Sequence, residues 1–162
     1  MHETTNVVVA GLGGQGVLKA SDILADAVFR AGYDVKKSEI HGMSQRGGSV
    51  TSDVRFGTAV GSPMVPHGEA DFLLVIAPDQ VDVVRAALRE AGTLLTPDAI
   101  DASRIPNKRS LNVALLGALS TRLSIDRDIW LEAIRANLPE TLHDANIEAF
   151  DLGRRSPRPA AG

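Results

Sequence analysis

A short glycine-rich segment near the N-terminus has the residue types needed to bind an anion. Its glycines follow the spacing G-x-G-x-x-G between a β-branched run and a stretch with helical periodicity. Glycines at such a turn let backbone amides converge at the positive end of a helix, where a phosphate or carboxylate can bind. The predicted cofactor-binding or anion-binding residues are Gly11, Gly13, Gly14, Gln15 and Gly16. The alternative is that the glycines only let the helix pack closely on the sheet.

A second segment, residues 38–49, places polar side chains among glycines directly after a predicted strand. Arg46 presents a fork of donors that suits a carboxylate, a phosphate or an acidic group of a partner. Ligands of open α/β sheets bind beyond the carboxyl ends of the strands, so this loop and the glycine turn should share one rim. The alternative is a solvated connecting loop. The predicted active-site rim or interface loop consists of Glu39, His41, Met43, Ser44, Gln45, Arg46, Gly47 and Gly48.

No residue of these two segments has the surroundings of a catalytic or metal-binding group. His41 could act as a general base, but a lone histidine more often makes a structural hydrogen bond. Neither Ser44 nor Ser49 lies in a Gly-x-Ser-x-Gly elbow. The chain has no cysteine, and no second histidine or carboxylate stands at metal-ligand spacing from His41. We therefore assign no catalytic residue and no metal ligand.

Alternating strands and helices must position these segments. Such alternation predicts an α/β fold, specifically a three-layer α/β/α Rossmann-like sandwich with a mostly parallel sheet. We expect one domain over residues 1–153, a disordered tail at 154–162, and an N-cap role for Asp79. The predicted strands are 6–10, 34–40, 49–56, 72–77 and 93–96, and the predicted helices are 17–31, 78–88, 111–123, 127–137 and 140–150.

Composition and charge exclude several classes of protein. The 162 residues carry a net charge of −3 and no concentrated basic face, which argues against nucleic-acid binding. Without cysteine, the chain cannot supply thiolates to an iron–sulfur cluster. The N-terminus lacks the layout of a secretory signal, and the longest apolar runs are too short to cross a bilayer. We expect a cytoplasmic protein that does not bind membranes.

The two candidate segments together resemble one known family. The glycine turn and the loop His-Gly-Met-Ser-Gln-Arg-Gly-Gly at 41–48 resemble gamma-type subunits of 2-oxoacid:ferredoxin oxidoreductases. Within that group, the chain is most similar to the beta subunit of indolepyruvate ferredoxin oxidoreductases. The resemblance covers about residues 6–153, with further matching stretches at 62–63, 68–71, 112–118 and 146–150.

The resemblance implies a multi-subunit enzyme that oxidatively decarboxylates a 2-oxoacid, such as indolepyruvate or another arylpyruvate, to an acyl-CoA. Coenzyme A is the implied co-substrate and ferredoxin the electron acceptor. Thiamine diphosphate, magnesium and the iron–sulfur clusters are expected on a larger partner subunit, because this chain has neither cysteine nor a Gly-Asp-Gly thiamine signature. The chain should therefore be inactive alone, and the isolated chain is expected to form a homodimer.

Two other functions remain open from the sequence. One is a stand-alone dinucleotide-binding oxidoreductase, favoured by the glycine spacing and by Glu39 as the acid after the second strand. Glu39 lies 28 positions after Gly11, however, whereas about 20 is usual for that acid. The other is a scaffold homologue that has lost its partners.

Arg46 provides the sharpest test of the second segment. Arg46→Ala should change the free energy of unfolding of the chain by no more than about 0.5 kcal/mol, because exposed loop substitutions are usually tolerated. Assembly with the partner should weaken by about 2–5 kcal/mol if a desolvated charge contact is lost, or turnover should fall comparably. Arg46→Lys should restore little, since a point charge cannot form a two-pronged contact. Unchanged complex formation and unchanged 2-oxoacid-dependent reduction of an electron acceptor would show that Arg46 is a solvated loop residue.

Overall fold

The strands of the protein form one five-stranded sheet. The computed structural model describes residues 4–41 and 48–155 of the chain, except the side chain of His41. The strands are ordered β2-β3-β1-β4-β5 across the sheet. This confirms the predicted α/β class. The strands are β1 (Thr4–Leu12), β2 (Asp34–His41), β3 (Ser49–Gly57), β4 (Ala70–Val75) and β5 (Leu88–Leu95).

Five α-helices and six short 3₁₀ segments connect these strands or follow them in the described part of the chain. The α-helices are α1 (Val17–Arg30), α2 (Val81–Val84), α3 (Leu111–Ser120), α4 (Arg127–Asn137) and α5 (His143–Arg155). The 3₁₀ segments are Pro78–Gln80, Arg85–Ala87, Pro97–Ala99, Ala102–Arg104, Lys108–Ser110 and Glu140–Leu142. None of the helices in residues 4–41 and 48–155 has the length and apolarity required to span a bilayer.

Strand β3 makes the sheet mixed, so the predicted mostly parallel sheet was not exact. Strand β1 pairs in parallel with β4, and β4 with β5, but β3 pairs antiparallel with both β1 and β2. The short connection from β2 to β3 allows only an antiparallel return, because parallel strands need a longer crossover. Strand β3 thereby occupies the position between β1 and β2, and the other four strands share one direction.

The two faces of the sheet are covered very differently. Helices α1 and α3 pack on one face, where Val7, Val9 and Leu74 join the main core around Ile23 and Leu116, and α4 packs against α1. The opposite face is covered near β1 and β4 by the segment 78–87, whose apolar residues pack on a smaller cluster. The third layer of the predicted sandwich therefore consists mainly of one short segment, 78–87.

The predicted helix over 78–88 is broken into a single α-helical turn flanked by two 3₁₀ turns. Three β-branched residues, Val81, Val83 and Val84, lower its helix propensity. No side chain caps its start, where the N-cap residue is Ala77. The predicted N-cap role of Asp79 was therefore wrong, since this residue lies inside the first turn.

Strand β5 begins at Leu88, earlier than the predicted strand at 93–96, and Gly92 lies inside this strand. The register between β4 and β5 shifts between Ala70 and Phe72. A Cβ on Gly92 would lie 2.5 Å from Leu88 Cδ1 and 2.9 Å from the carbonyl oxygen of Ala70. Glycine at an irregular point of a strand permits this close approach of the neighbouring chain.

Helix α3 is buried along nearly its whole length and contacts α5 backbone to backbone. All residues from Asn112 to Ser120 are buried. A Cβ on Gly117 would lie 2.0 Å from the carbonyl oxygen of Phe150, and one on Gly153 would lie 1.9 Å from that of Ala114. Only glycine fits at these two positions without separating the helices.

Helix α5 extends to Arg155, beyond the predicted domain boundary at 153. Arg154 donates a hydrogen bond from Nη1 to Ser120 Oγ at 2.8 Å, and its guanidinium carbon lies 6.0 Å from the ring centre of Phe150. Arg154 and Arg155 were therefore wrongly predicted as part of a disordered tail. The rest of that tail, 156–162, lies outside the described residues.

The contact between α3 and α5 can be tested with Gly117→Ala. The added methyl group would meet backbone atoms that cannot rotate away, so the free energy of unfolding should fall by about 3 kcal/mol. Gly61→Ala is the matched control, because Gly61 has open space around its Cβ position and no positive φ. The control should change stability by less than about 0.5 kcal/mol. Equal stability of the two variants in chemical denaturation would contradict the close packing of these helices.

Candidate functional site

The glycine turn between β1 and α1 is closed by its own backbone and by Gln15. The Leu12 amide donates to Gln15 Oε1 at 2.7 Å, and the Gln15 amide donates to the Leu12 carbonyl at 3.1 Å. Gly13 and Gly14 are exposed, and Gly14 and Gly16 have positive φ angles of 89° and 79°. The carbonyl oxygen of the Gln15 side chain therefore shapes the turn.

The start of α1 has no side-chain cap. Gly16 is the N-cap residue, and no side chain accepts a hydrogen bond from the first amides of the helix. The first turn contains no acidic residue, and it contains Lys19. The uncapped amides and the helix dipole together make this end electropositive, as in known anion-binding helix termini.

Asn112, at the start of α3, connects this helix to the glycine turn. Its Nδ2 donates to the Gly16 carbonyl at 3.0 Å, across 96 positions of sequence. A Cβ on Gly16 would lie 2.5 Å from Nδ2, so glycine is required at this position by space as well as by φ. Asn112 is 6% exposed, and its Oδ1 has no hydrogen-bond partner within the described residues.

A cavity of about 420 Å³ lies where the starts of α1, α3 and α5 meet. Three cations, Lys19, Lys108 and Arg109, line it, and no acidic residue does so in the described part of the chain. The cavity therefore has a positive electrostatic character. Its lining comprises Gly14, Gln15, Gly16, Lys19, Ile76, Asn107, Lys108, Arg109, Ser110, Leu111, Asn112, Val113, Leu138, Leu142 and Asn146.

The two cations before α3 are held by a local cap. Asn107 Oδ1 accepts a hydrogen bond from the Arg109 amide at 3.0 Å and thereby starts the 3₁₀ turn that leads into α3. Lys108, Arg109 and Asn112 were not among the site residues predicted from the sequence. The available signal was Asn-Lys-Arg-Ser directly before an apolar helix, with one asparagine inside the apolar run.

The end of the second candidate segment lies beside the glycine turn. The Gly13 amide donates to the Gly48 carbonyl at 2.9 Å, and Ser49 lies opposite Leu12 in the sheet. His41 is the last residue of β2, at the other end of the same connection. The remaining predicted rim residues, Met43, Ser44, Gln45, Arg46 and Gly47, lie outside the described residues.

Glu39 lies in β2, away from the glycine turn. Its Oε1 accepts a hydrogen bond from Lys37 Nζ at 2.7 Å, and Lys37 also pairs with Asp22 of α1. Partial burial works to lower the pKa of Lys37, but the hydrogen bonds to Asp22 and Glu39 outweigh it and raise that pKa above its ordinary value. Because β3 separates β2 from β1, Glu39 does not occupy the strand next to the turn, as dinucleotide binding requires.

Metal binding by side chains has no support in the described part of the chain. Residues 4–41 and 48–155 contain no group of three histidine, aspartate or glutamate side chains close enough to hold an ion. The site therefore consists of backbone amides, three cations and polar side chains. Such a set can bind and orient an anionic ligand.

Comparison with known proteins identifies the family. The model of the family "Pyruvate ferredoxin/flavodoxin oxidoreductase" matches residues 6–156. Indolepyruvate oxidoreductase subunit IorB from Thermococcus kodakarensis is 34% identical, over 97% of this chain and 98% of that protein.

Solved structures share the fold. The gamma subunit of a keto/oxoacid ferredoxin oxidoreductase from Geobacter sulfurreducens has a TM-score of 0.79 at 22% identity, covering 96% of this chain and 97% of that one. The 2-oxoglutarate:ferredoxin oxidoreductase from Magnetococcus marinus has a TM-score of 0.82 at 20% identity, covering 96% of this chain but only 31% of that longer chain. The resemblance seen in the sequence is thus confirmed, and the chain belongs to the pyruvate ferredoxin/flavodoxin oxidoreductase family.

Proposed function

We propose that this chain is the small subunit of a cytoplasmic 2-oxoacid:ferredoxin oxidoreductase whose substrate is indolepyruvate or another arylpyruvate. Its family membership and the indolepyruvate oxidoreductase relative, matched over nearly the full length of both proteins, support this proposal. The complex oxidatively decarboxylates the 2-oxoacid to an acyl-CoA and passes the electrons to ferredoxin. Thiamine diphosphate, magnesium and iron–sulfur clusters belong to a larger partner subunit, since this chain has no cysteine for a cluster.

The role of this chain is to bind the anionic end of coenzyme A in the cavity beside the glycine turn. The observation that carries this assignment is the cavity itself: three cations, the uncapped start of α1 and no acidic residue in its described lining. Coenzyme A carries a diphosphate and a 3′-phosphate, which are the groups that such a set of donors attracts. The volume of about 420 Å³ lies within the range of about 300–1,000 Å³ typical of small-molecule sites.

Asn112 supports the same assignment. A buried acceptor without a partner costs about 1–3 kcal/mol, so a ligand that donates to Asn112 Oδ1 removes that cost on binding. Coenzyme A has such donors in its adenine amino group and its amide N–H groups. Asn112 would then fix the ligand's orientation while its Nδ2 keeps the glycine turn in place.

The alternative of a stand-alone dinucleotide-binding oxidoreductase rests on the glycine spacing alone. Strand β3 separates Glu39 from the glycine turn, and Lys37 already pairs with this carboxylate. A partnerless scaffold would share the fold described above but would assemble with no larger subunit. Assembly therefore distinguishes that second alternative from the proposed function.

Co-expression with the larger subunit encoded in the same genome tests the proposed function. A stable complex should form, and it should reduce an electron acceptor when supplied with an arylpyruvate and coenzyme A. The isolated chain should show no activity and should form a dimer. Failure of the two chains to copurify, with no 2-oxoacid-dependent reduction, would favour the scaffold.

Arg109→Gln tests the assignment of the cavity. Removing this cation should weaken coenzyme A binding to the complex about tenfold, since a charge-assisted hydrogen bond contributes about 1.5–3 kcal/mol. Arg122→Gln is the matched control, because Arg122 is exposed beyond the opposite end of α3 and loses the same charge. Titration calorimetry should show near wild-type affinity for the control. Equal affinities for coenzyme A in both variants would place its phosphates elsewhere.

A further inference from the structure

The open face of the sheet carries a second cavity that the proposed coenzyme A site does not use. It has a volume of about 390 Å³ and lies between strands β1 to β3, the segment 58–69 and α2. We call it the open-face groove. Its lining comprises Val8, Ile40, Thr51, Asp53, Met64, Val65, Pro66, His67, Val83, Val84, Ala86 and Ala87.

The rim of the open-face groove carries three exposed apolar side chains beside the exposed His67. Ile40, Met64 and Val83 are 47%, 54% and 65% exposed, and they are three of the six large hydrophobic side chains that are exposed among the described residues. Isolated exposed apolar side chains are ordinary, but a group of them around one groove marks an interaction surface. A small ligand inside the groove would leave these three side chains in water, whereas a chain segment laid along it would cover them.

The floor of the groove holds a carboxylate that forms no ion pair with another described residue. Asp53 is 7% exposed, and its Oδ2 accepts a hydrogen bond from the Val65 amide at 2.9 Å. The other oxygen has no hydrogen-bond partner, and no Lys or Arg forms an ion pair with Asp53, within residues 4–41 and 48–155. Burial raises the pKa of the Asp53 carboxyl, against the opposing Val65 hydrogen bond and the charge of Arg55.

Arg55, the nearest cation on the same face of β3, is engaged elsewhere. Its Nε donates to Asn6 Oδ1 at 2.8 Å, and its Nη1 donates to the carbonyl oxygens of Ser62 and Met64 at 2.8 and 3.3 Å. These bonds hold the segment 58–69 against the sheet. Among the described residues, the carboxylate of Asp53 is therefore left without an ion pair.

We propose that the open-face groove is a docking site for the larger subunit, and that it receives a segment in which an Arg or Lys is flanked by apolar residues. The cation would pair with Asp53, and the apolar residues would cover Ile40, Met64 and Val83. This inference rests on the proposed function, which supplies the larger subunit. Charge complementarity selects the occupant, because an Arg or Lys would give the buried carboxylate both a hydrogen-bond donor and the opposite charge, and no described residue forms such an ion pair with it.

The test measures the affinity of the purified larger subunit for variants of this chain. Asp53→Asn keeps an acceptor for the Val65 amide and removes the charge, so the isolated chain should melt no lower than wild type. Its affinity for the larger subunit should fall about thirtyfold or more, as expected when one partner of a buried charge pair is truncated. A purely structural role of Asp53 would instead lower the melting temperature without lowering the affinity of the folded variant, and would overturn the proposal.

Val83→Glu gives an independent test on the exposed rim, and Phe29→Glu is its control. Both residues are about two-thirds exposed, but Phe29 lies at the end of α1, away from the groove. Val83→Glu should weaken assembly about tenfold, whereas Phe29→Glu should not. If Asp53→Asn fails to fold, this pair decides the outcome.

Two further results would overturn the proposal. One is wild-type affinity of folded Asp53→Asn and Val83→Glu for the larger subunit. The other is a homodimer of the isolated chain that Val83→Glu dissociates while assembly is unaffected, which would assign the groove to a second copy. If the wild-type chain does not bind the larger subunit, the proposed function itself is contradicted. That result is thus distinguishable from a failure of the docking site alone.

Discussion

The direct backbone contact between α3 and α5 is the constraint on which the site depends. Gly117 and Gly153 let each helix press against carbonyl groups of the other, so α3 lies pressed between α5 and the sheet. Because α3 is held in this position, Asn112 reaches the carbonyl of Gly16. Gly16 has no Cβ that would keep the Asn112 side chain away. A single methyl group between the helices would move α3 and break that contact. The close packing at Gly117, which follows Asn112 by five positions in α3, thus sets the geometry of the glycine turn.

The charges around the cavity oppose the stability of the helices that carry them. Lys19 lies in the first turn of α1, and Lys108 and Arg109 lie directly before α3. A cation at a helix N-terminus is unfavourable by about 0.3–1 kcal/mol, where an acidic residue would stabilise. A bound anion would offset this cost, because it is attracted both to the helix N-termini and to the three cations. The arrangement is the one expected when local stability is given up at a binding site.

Local patterns in the sequence predicted the elements better than their arrangement. Helix α4 was predicted with its observed bounds, because its apolar residues have a clear helical period. The position of β3 between β1 and β2 could not be predicted, since strand order depends on long-range pairing rather than on local periodicity. For the same reason, the glycine turn was identified from its motif, whereas Asn112 was not. Its role arises only because folding brings it to Gly16 across 96 positions.

The position of β3 between β1 and β2 accounts for the charges found on both sides of the sheet. By separating β2 from β1, it removes Glu39 from the glycine turn and leaves the electropositive cavity without a nearby acid in the described structure. The same strand places Asp53 opposite Val8 in the middle of the sheet, on the face where segment 78–87 reaches only part of the surface. The carboxyl of Asp53 is buried there and forms no ion pair with another described residue. One topological feature therefore leaves an electropositive cavity on one side of the sheet and, among the described residues, an acid without an ion pair on the other.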